Sequence, residues 1–165
     1  MTSEDFKRVA LDYLSKRIAT ASHLRKVLER RIHRAAVDED TAQSWRESID
    51  AALADLTRAG LLDDGLYAHA RGVTLARKGA SRHMVVQQLA GRGVDRDLAQ
   101  ATAREIDDER QALIYARRRR LGPFRTRDRE DRRDRDVAAM ARAGFPVDLA
   151  IKAVDGLIER DDEAA

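Results

Sequence analysis

Three short stretches share one pattern: a glycine, an apolar residue, two further residues and an aspartate. They are GLLDD at 60–64, GVDRD at 93–97 and GFPVD at 144–148. A glycine just past a helix end can take the left-handed conformation that closes the helix. The apolar residue after it can pack back on the last turn, and the aspartate can accept hydrogen bonds from the free N–H groups of the next helix. Gly60 with Asp64, Gly93 with Asp97, and Gly144 with Asp148 are therefore read as structural corners between helices. Each joint is a candidate for a compact helix–turn–helix corner.

The segments between the corners carry helical periodicity. The clearest runs from Asp40 to Ala59, where Trp45, Ile49, Ala52, Leu53 and Leu56 fall on one face. Ser44 with Glu47 fits a capping box, and Asp40 or Thr41 fits an earlier start. The last helix is expected to begin at or just after Pro146, with Ala150, Val154, Leu157 and Ile158 on its apolar face. MVVQQL at 84–89 has β-branched residues but also fits two helical turns, and is read as helix. Aromatic residues make up only 4% of the chain, so the core must come from Leu, Ala, Val and Ile, which suits thin helical layers.

Two corners lie in longer matching contexts. VVQQLAGRGVDRDLAQA (85–101) overlays DVAAMARAGFPVDLAIK (136–152), setting Leu89 on Met140, Gly93 on Gly144 and Leu98 on Leu149. This is the mark of an internal repeat of helical units with unequal lengths.

At this point the chain resembles a known family. LTRAGLLDDGLYAHARGVTLARKGASRHMVVQQLAGRGV (56–94) is similar to the RecX proteins, regulators of the RecA recombinase. The match rests on Leu56, Gly60, Leu61, Asp64, Tyr67, Ala68, Gly79, Leu89, Arg92, Gly93 and Val94. YLSKRIATASHLRKVLERR (13–31) resembles the family's opening helices, and RRRRLGPF followed by ARAGFPVDLAIKAVD its last unit. The first unit departs from the pattern in having Arg31-Ile32 where a Lys-Gly pair is usual. The resemblance implies an all-α fold of about three tandem three-helix repeats in an elongated, curved array. Its units would span 1–62, 63–107 and 108–158, with a flexible acidic tail at 159–165. It implies a partner, the RecA filament on single-stranded DNA. It also implies a role in lowering ATP hydrolysis, filament growth and strand exchange.

The chemistry of the residues points away from catalysis. There are no cysteines, so disulfides and thiolate metal sites are excluded. The histidines (His23, His33, His69 and His83) lack ligand spacing, and RKGAS at 77–81 lacks the phosphate-loop pattern. No enzyme activity, cofactor or metal is expected. Asp63 and Asp64 are read as capping residues, and Trp45 as core. No apolar run approaches a membrane span, MTSEDFKRVA is not a signal segment, and no sustained heptad seam is present, so a cytoplasmic monomer is expected.

Charge is where a binding site can be sought. Net charge is only +3, yet residues 117–136 hold ten arginines and five acids. RDREDRRDRD at 127–136 mixes signs so closely that it reads as a self-paired, solvated helix. Arg117, Arg118, Arg119 and Arg120 have no acid among them. With Arg125 beyond the Gly122-Pro123 turn, they form the candidate partner-binding group, for RecA carboxylates or DNA phosphates. The alternative function is a stand-alone helical DNA-binding module that uses its corners as helix-turn-helix elements.

Overall fold

The computed structural model describes residues 1–159; of the expected tail, 160–165 lie outside the described residues. The fold is all-α: nine α-helices, one short 3-10 turn and no strand among the described residues. The helices are α1 (Ser3–Leu14), α2 (Ala21–Ala35), α3 (Glu39–Arg58), α4 (Asp64–Ala76), α5 (Arg82–Gly91), α6 (Arg96–Arg104), α7 (Asp108–Arg119), α8 (Arg133–Arg142) and α9 (Val147–Asp155). None is long and apolar enough to cross a membrane. The chain divides into two compact units, one of residues 1–69 with 90–95, the other of 70–89 with 96 onward.

The first unit is built on α1, α2 and α3. Phe6, Leu24, Leu28 and Ile49 are fully buried between them. Each such side chain contributes about 1.5–3 kcal/mol by leaving water, so these four outweigh any surface ion pair in the unit. Trp45 is half-buried and meets the Phe6 ring edge-on at 6.2 Å, which makes it part of this core. The α3 start differs from expectation. Asp38 accepts a 2.9 Å bond from the Thr41 N–H, so α3 begins at Glu39, ahead of Ser44, Asp40 and Thr41. Where the family's Lys-Gly pair is replaced by Arg31-Ile32, α2 runs on. Ile32 is buried, and the helix closes at Ala36, which has φ +46°.

The second unit buries Ala112 and Ala116 of α7, Met140 of α8, and Ala150, Ala153 and Val154 of α9. Ile158 joins this core, but Leu157 is 68% exposed because α9 has already ended at Asp155. The segment 127–136 is not one helix. Residues 129–132 form a turn, α8 starts only at Arg133, and Asp136 is buried. MVVQQL lies within α5, and α9 starts immediately after Pro146.

The corner glycines Gly60, Gly93 and Gly144 have φ of +70°, +83° and +89°. The aspartates sit differently from the expectation. Asp64, Asp97 and Asp148 lie inside the first turns of α4, α6 and α9, Asp64 one position and Asp97 and Asp148 two positions too late for a cap. At α4 the cap is Asp63, whose Oδ1 accepts the Leu66 N–H at 2.8 Å. At the first corner Leu62 is buried, while Leu61 is 54% exposed.

One joint occurs twice. Thr20 accepts the His23 N–H at 3.1 Å and donates its hydroxyl to the Arg92 carbonyl at 2.6 Å, just before Gly93. The next N–H, of Ala21, goes to Asp64 Oδ1 at 2.9 Å. Ser81 repeats this. It accepts the Met84 N–H at 3.2 Å and donates to the Ala143 carbonyl at 2.8 Å, just before Gly144. The next N–H, of Arg82, goes to Asp108 Oδ1 at 2.8 Å. Glycine is needed at both places. A Cβ on Gly93 would lie 2.5 Å from Ser22 Oγ, and one on Gly144 would lie 2.7 Å from Ser81 Oγ.

Candidate functional site

α7 carries the arginine run and is firmly set at both ends. Asp107 caps it by accepting from the N–H groups of Glu109 and Arg110. At the far end Arg117, Arg118 and Arg119 form the last turn, where cations are favoured by the free carbonyls and the helix dipole. Arg120 closes the helix in the left-handed conformation, with φ +54°. Leu121 then turns inward, and its N–H returns to the Ala116 carbonyl at 2.9 Å.

The turn that follows is held by Asp136. Its carboxylate accepts Gly122 N–H at 2.8 Å, Arg125 Nε at 2.7 Å and Arg125 Nη2 at 2.7 Å. Burial alone pushes this carboxyl up. The Arg125 guanidinium and the Gly122 N–H outweigh that and hold it below the ordinary carboxylate value. Arg125 is thus committed to Asp136, and the structure does not present it with the other four arginines. Sequence reading placed Asp136 on a solvated helix. The overlay of the two repeat segments did carry a signal, because it sets Asp136 on Val85, a fully buried apolar position.

Arg117 to Arg120 are all exposed. The Arg117 guanidinium lies 5.6 Å from the Phe124 ring centroid, and that of Arg119 lies 5.8 Å from the Tyr115 ring. These contacts orient the two side chains at modest gain, about 0.5–1 kcal/mol each. Arg118 Nη1 donates to the Lys78 carbonyl at 3.0 Å. That bond brings in a segment the sequence reading did not connect to the run. Gly79 packs so closely on α7 that a Cβ there would lie 2.8 Å from the Tyr115 nitrogen. The exposed Arg77 and Lys78, at the end of α4, therefore border the arginine run. Neither 76–80 nor 116–127 contains an acid. The result is a basic cluster of Arg77, Lys78 and Arg117–Arg120, drawn from two helix ends and set on rigid elements.

The other arginine-rich surface is internally neutralised. A cleft of about 330 Å³ is lined by Arg129, Glu130, Arg133, Val154 and Asp155. Arg133 grips the Asp155 carboxylate with two bonds, of 2.7 and 2.8 Å, and Arg129 donates to the Asp155 carbonyl at 3.3 Å. No group of three or more His, Asp or Glu among the described residues is placed to hold a metal ion.

No family model matches the chain. Among curated proteins it is similar to "Regulatory protein RecX" of Myxococcus xanthus, with 39% identity over 160 residues, covering 90% of this chain and 83% of that one. It is also 31% identical to "Regulatory protein RecX" of Agrobacterium fabrum over 144 residues, covering 87% of this chain and 78% of the relative. Among solved structures it is similar to the crystal structure of RecX from Lactobacillus salivarius, with a TM-score of 0.69 and 16% identity, over 94% of this chain and 96% of that one.

Proposed function

The chain belongs to the RecX family, and from that premise we propose that it is a non-enzymatic regulatory protein that binds RecA filaments on single-stranded DNA. It acts in the cytoplasm as a monomer, making several contacts along the filament groove and bridging neighbouring protomers. Bridging impedes the ATP-linked changes between protomers, so ATP hydrolysis, filament growth and strand exchange fall. The relatives' name as regulatory proteins supports the role. The observation that carries the mechanism is the basic cluster, in which the Arg118–Lys78 bond assembles six cations without an acid in either segment. Guanidinium groups pair with carboxylates or phosphates through two parallel hydrogen bonds, which suits them to such a contact.

The test is ATP hydrolysis by RecA on single-stranded DNA while the chain is titrated in. Inhibition well below one molecule per RecA is the expected result. Replacing Arg117, Arg118, Arg119 and Arg120 together by Ala should weaken that inhibition and leave helicity intact. No effect of the wild-type chain at saturation would remove RecA as the partner. Equal inhibition by the four-Ala variant would remove the cluster from the mechanism. If the chain instead bound bare oligonucleotide with a log–log salt slope of roughly −3.5, as about five phosphate contacts on a single strand would give, a stand-alone DNA-binding module would replace this reading.

A further inference from the structure

Among the described residues, five helices close with the same pair of backbone bonds. The residue in the left-handed conformation donates to the carbonyl three before it, and the next residue donates to the carbonyl five before it. At α3 the pair is Gly60 N–H to Thr57 and Leu61 N–H to Leu56; at α4 it is Gly79 to Ala76 and Ala80 to Leu75. At α8 it is Gly144 to Ala141 and Phe145 to Met140; at α9 it is Gly156 to Ala153 and Leu157 to Lys152. At α7 it is Arg120 to Arg117 and Leu121 to Ala116. Four of the five use glycine with φ between +70° and +89°, whereas α7 uses an arginine at +54°. A side chain in that conformation brings its Cβ against the backbone, a strain that glycine avoids.

The arginine gains nothing inside the molecule in return. Arg117 and Arg119 lie on aromatic rings and Arg118 is bound to a carbonyl. Arg120 is exposed, and its guanidinium makes no hydrogen bond or ion pair among the described residues. Strain held without an internal partner points to a partner outside the molecule. Ala36 and Asp128 also have positive φ, but neither closes a helix with this pair of bonds among the described residues.

We infer that Arg120 is a ligand-contacting residue of the basic cluster, and that its ligand is a carboxylate on an acidic protein surface. The class follows from the neighbours. A binder of single-stranded nucleic acid offers aromatic faces for base stacking. Here the two rings beside the cluster, Tyr115 and Phe124, each already have a guanidinium over them. What remains is a set of N–H edges suited to bidentate carboxylates. The inference rests on the reading of the chain as a RecA-binding protein.

The experiment compares wild type with Arg120→Gly and Arg120→Lys in thermal unfolding, in inhibition of RecA ATPase, and in binding to a bare oligothymidine by fluorescence anisotropy. Arg120→Gly should raise the unfolding midpoint by about 2–4 °C and weaken inhibition about tenfold. Arg120→Lys should leave the midpoint unchanged and weaken inhibition, because it keeps the charge and loses the fork. Undiminished inhibition by Arg120→Gly, with active wild type, overturns the role of Arg120 alone. A midpoint that falls in Arg120→Gly overturns the strain argument. Equal loss of binding to the bare oligothymidine overturns the carboxylate in favour of phosphate. An inert wild-type chain removes the premise and the inference with it.

Discussion

Thr20 and Ser81 are equivalent. Each caps the helix that follows it, and each donates its hydroxyl to the carbonyl immediately before a left-handed glycine. Both are almost wholly buried, at 1% and 0% exposure, so neither hydroxyl can exchange its protein partners for water.

Ser81→Ala should therefore cost more than a surface cap. It deletes a cap and leaves the part-buried Ala143 carbonyl without its donor, for a loss of about 1–3 kcal/mol. Thr20→Ala should cost a similar amount. Urea unfolding at neutral pH checks both, and a loss below about 0.5 kcal/mol would be that of an exposed residue.

Asp136 should give stability a specific pH dependence. Its carboxyl is held below the ordinary 3.8 in the folded chain. A group depressed in this way contributes stability that is fully present above its unfolded value and is lost as pH falls through the folded value. Asp136→Asn should thus destabilise the protein by about 1–3 kcal/mol at pH 7, since Arg125 and Gly122 lose a charged acceptor. The gap between the two proteins should narrow as pH drops below 3.8. Parallel unfolding curves from pH 7 to pH 2.5 would count against this role.

The corner glycines should not be equally sensitive. Gly60 has nothing within 4 Å of an added Cβ, so Gly60→Ala pays only for its φ, about 1–2 kcal/mol. Gly93→Ala and Gly144→Ala also force the Cβ against Ser22 or Ser81 and should cost more. Gly93→Val should be the most damaging of the set. The order of melting temperatures decides the matter.

The cluster predicts that Arg77 and Lys78 act with the arginine run. Replacing both by Gln should weaken inhibition of RecA ATPase in the same direction as the four-Ala variant. Inhibition by the double variant should also become less sensitive to added salt, because two screened charges have been removed. Unaltered inhibition would confine the contact to α7.

Much of the fold was legible from local pattern. The periodicity of α3, the glycines that end helices and the Pro146 start of α9 all depend on residues a few positions apart, so the sequence displays them. The cap register is less legible, because the distance from the glycine marks the helix start only to within a residue or two: the helix begins at or one residue before the Asp of each corner. The joints were not legible. A hydroxyl of residue 20 or 81 donating to a main-chain carbonyl far along the chain leaves no side-chain pattern at the acceptor. The same holds for Lys78, whose carbonyl is what receives Arg118. Asp136 was hidden for another reason. In a run of alternating signs its charge suggested water, and only its alignment with Val85 set it inside.

The two joints end on main-chain atoms, and this has a consequence for how the family can change. The acceptors belong to Arg92 and Ala143, and the bonded N–H groups to Ala21 and Arg82, which share no chemistry. The bonds at those four positions are made by main-chain groups, so they do not depend on side-chain chemistry there. The side-chain requirement falls on a small hydroxyl at 20 and 81, an acid at 64 and 108, and a glycine at 93 and 144. A distant relative can therefore lose most of its likeness in letters and still be bolted together at the same points.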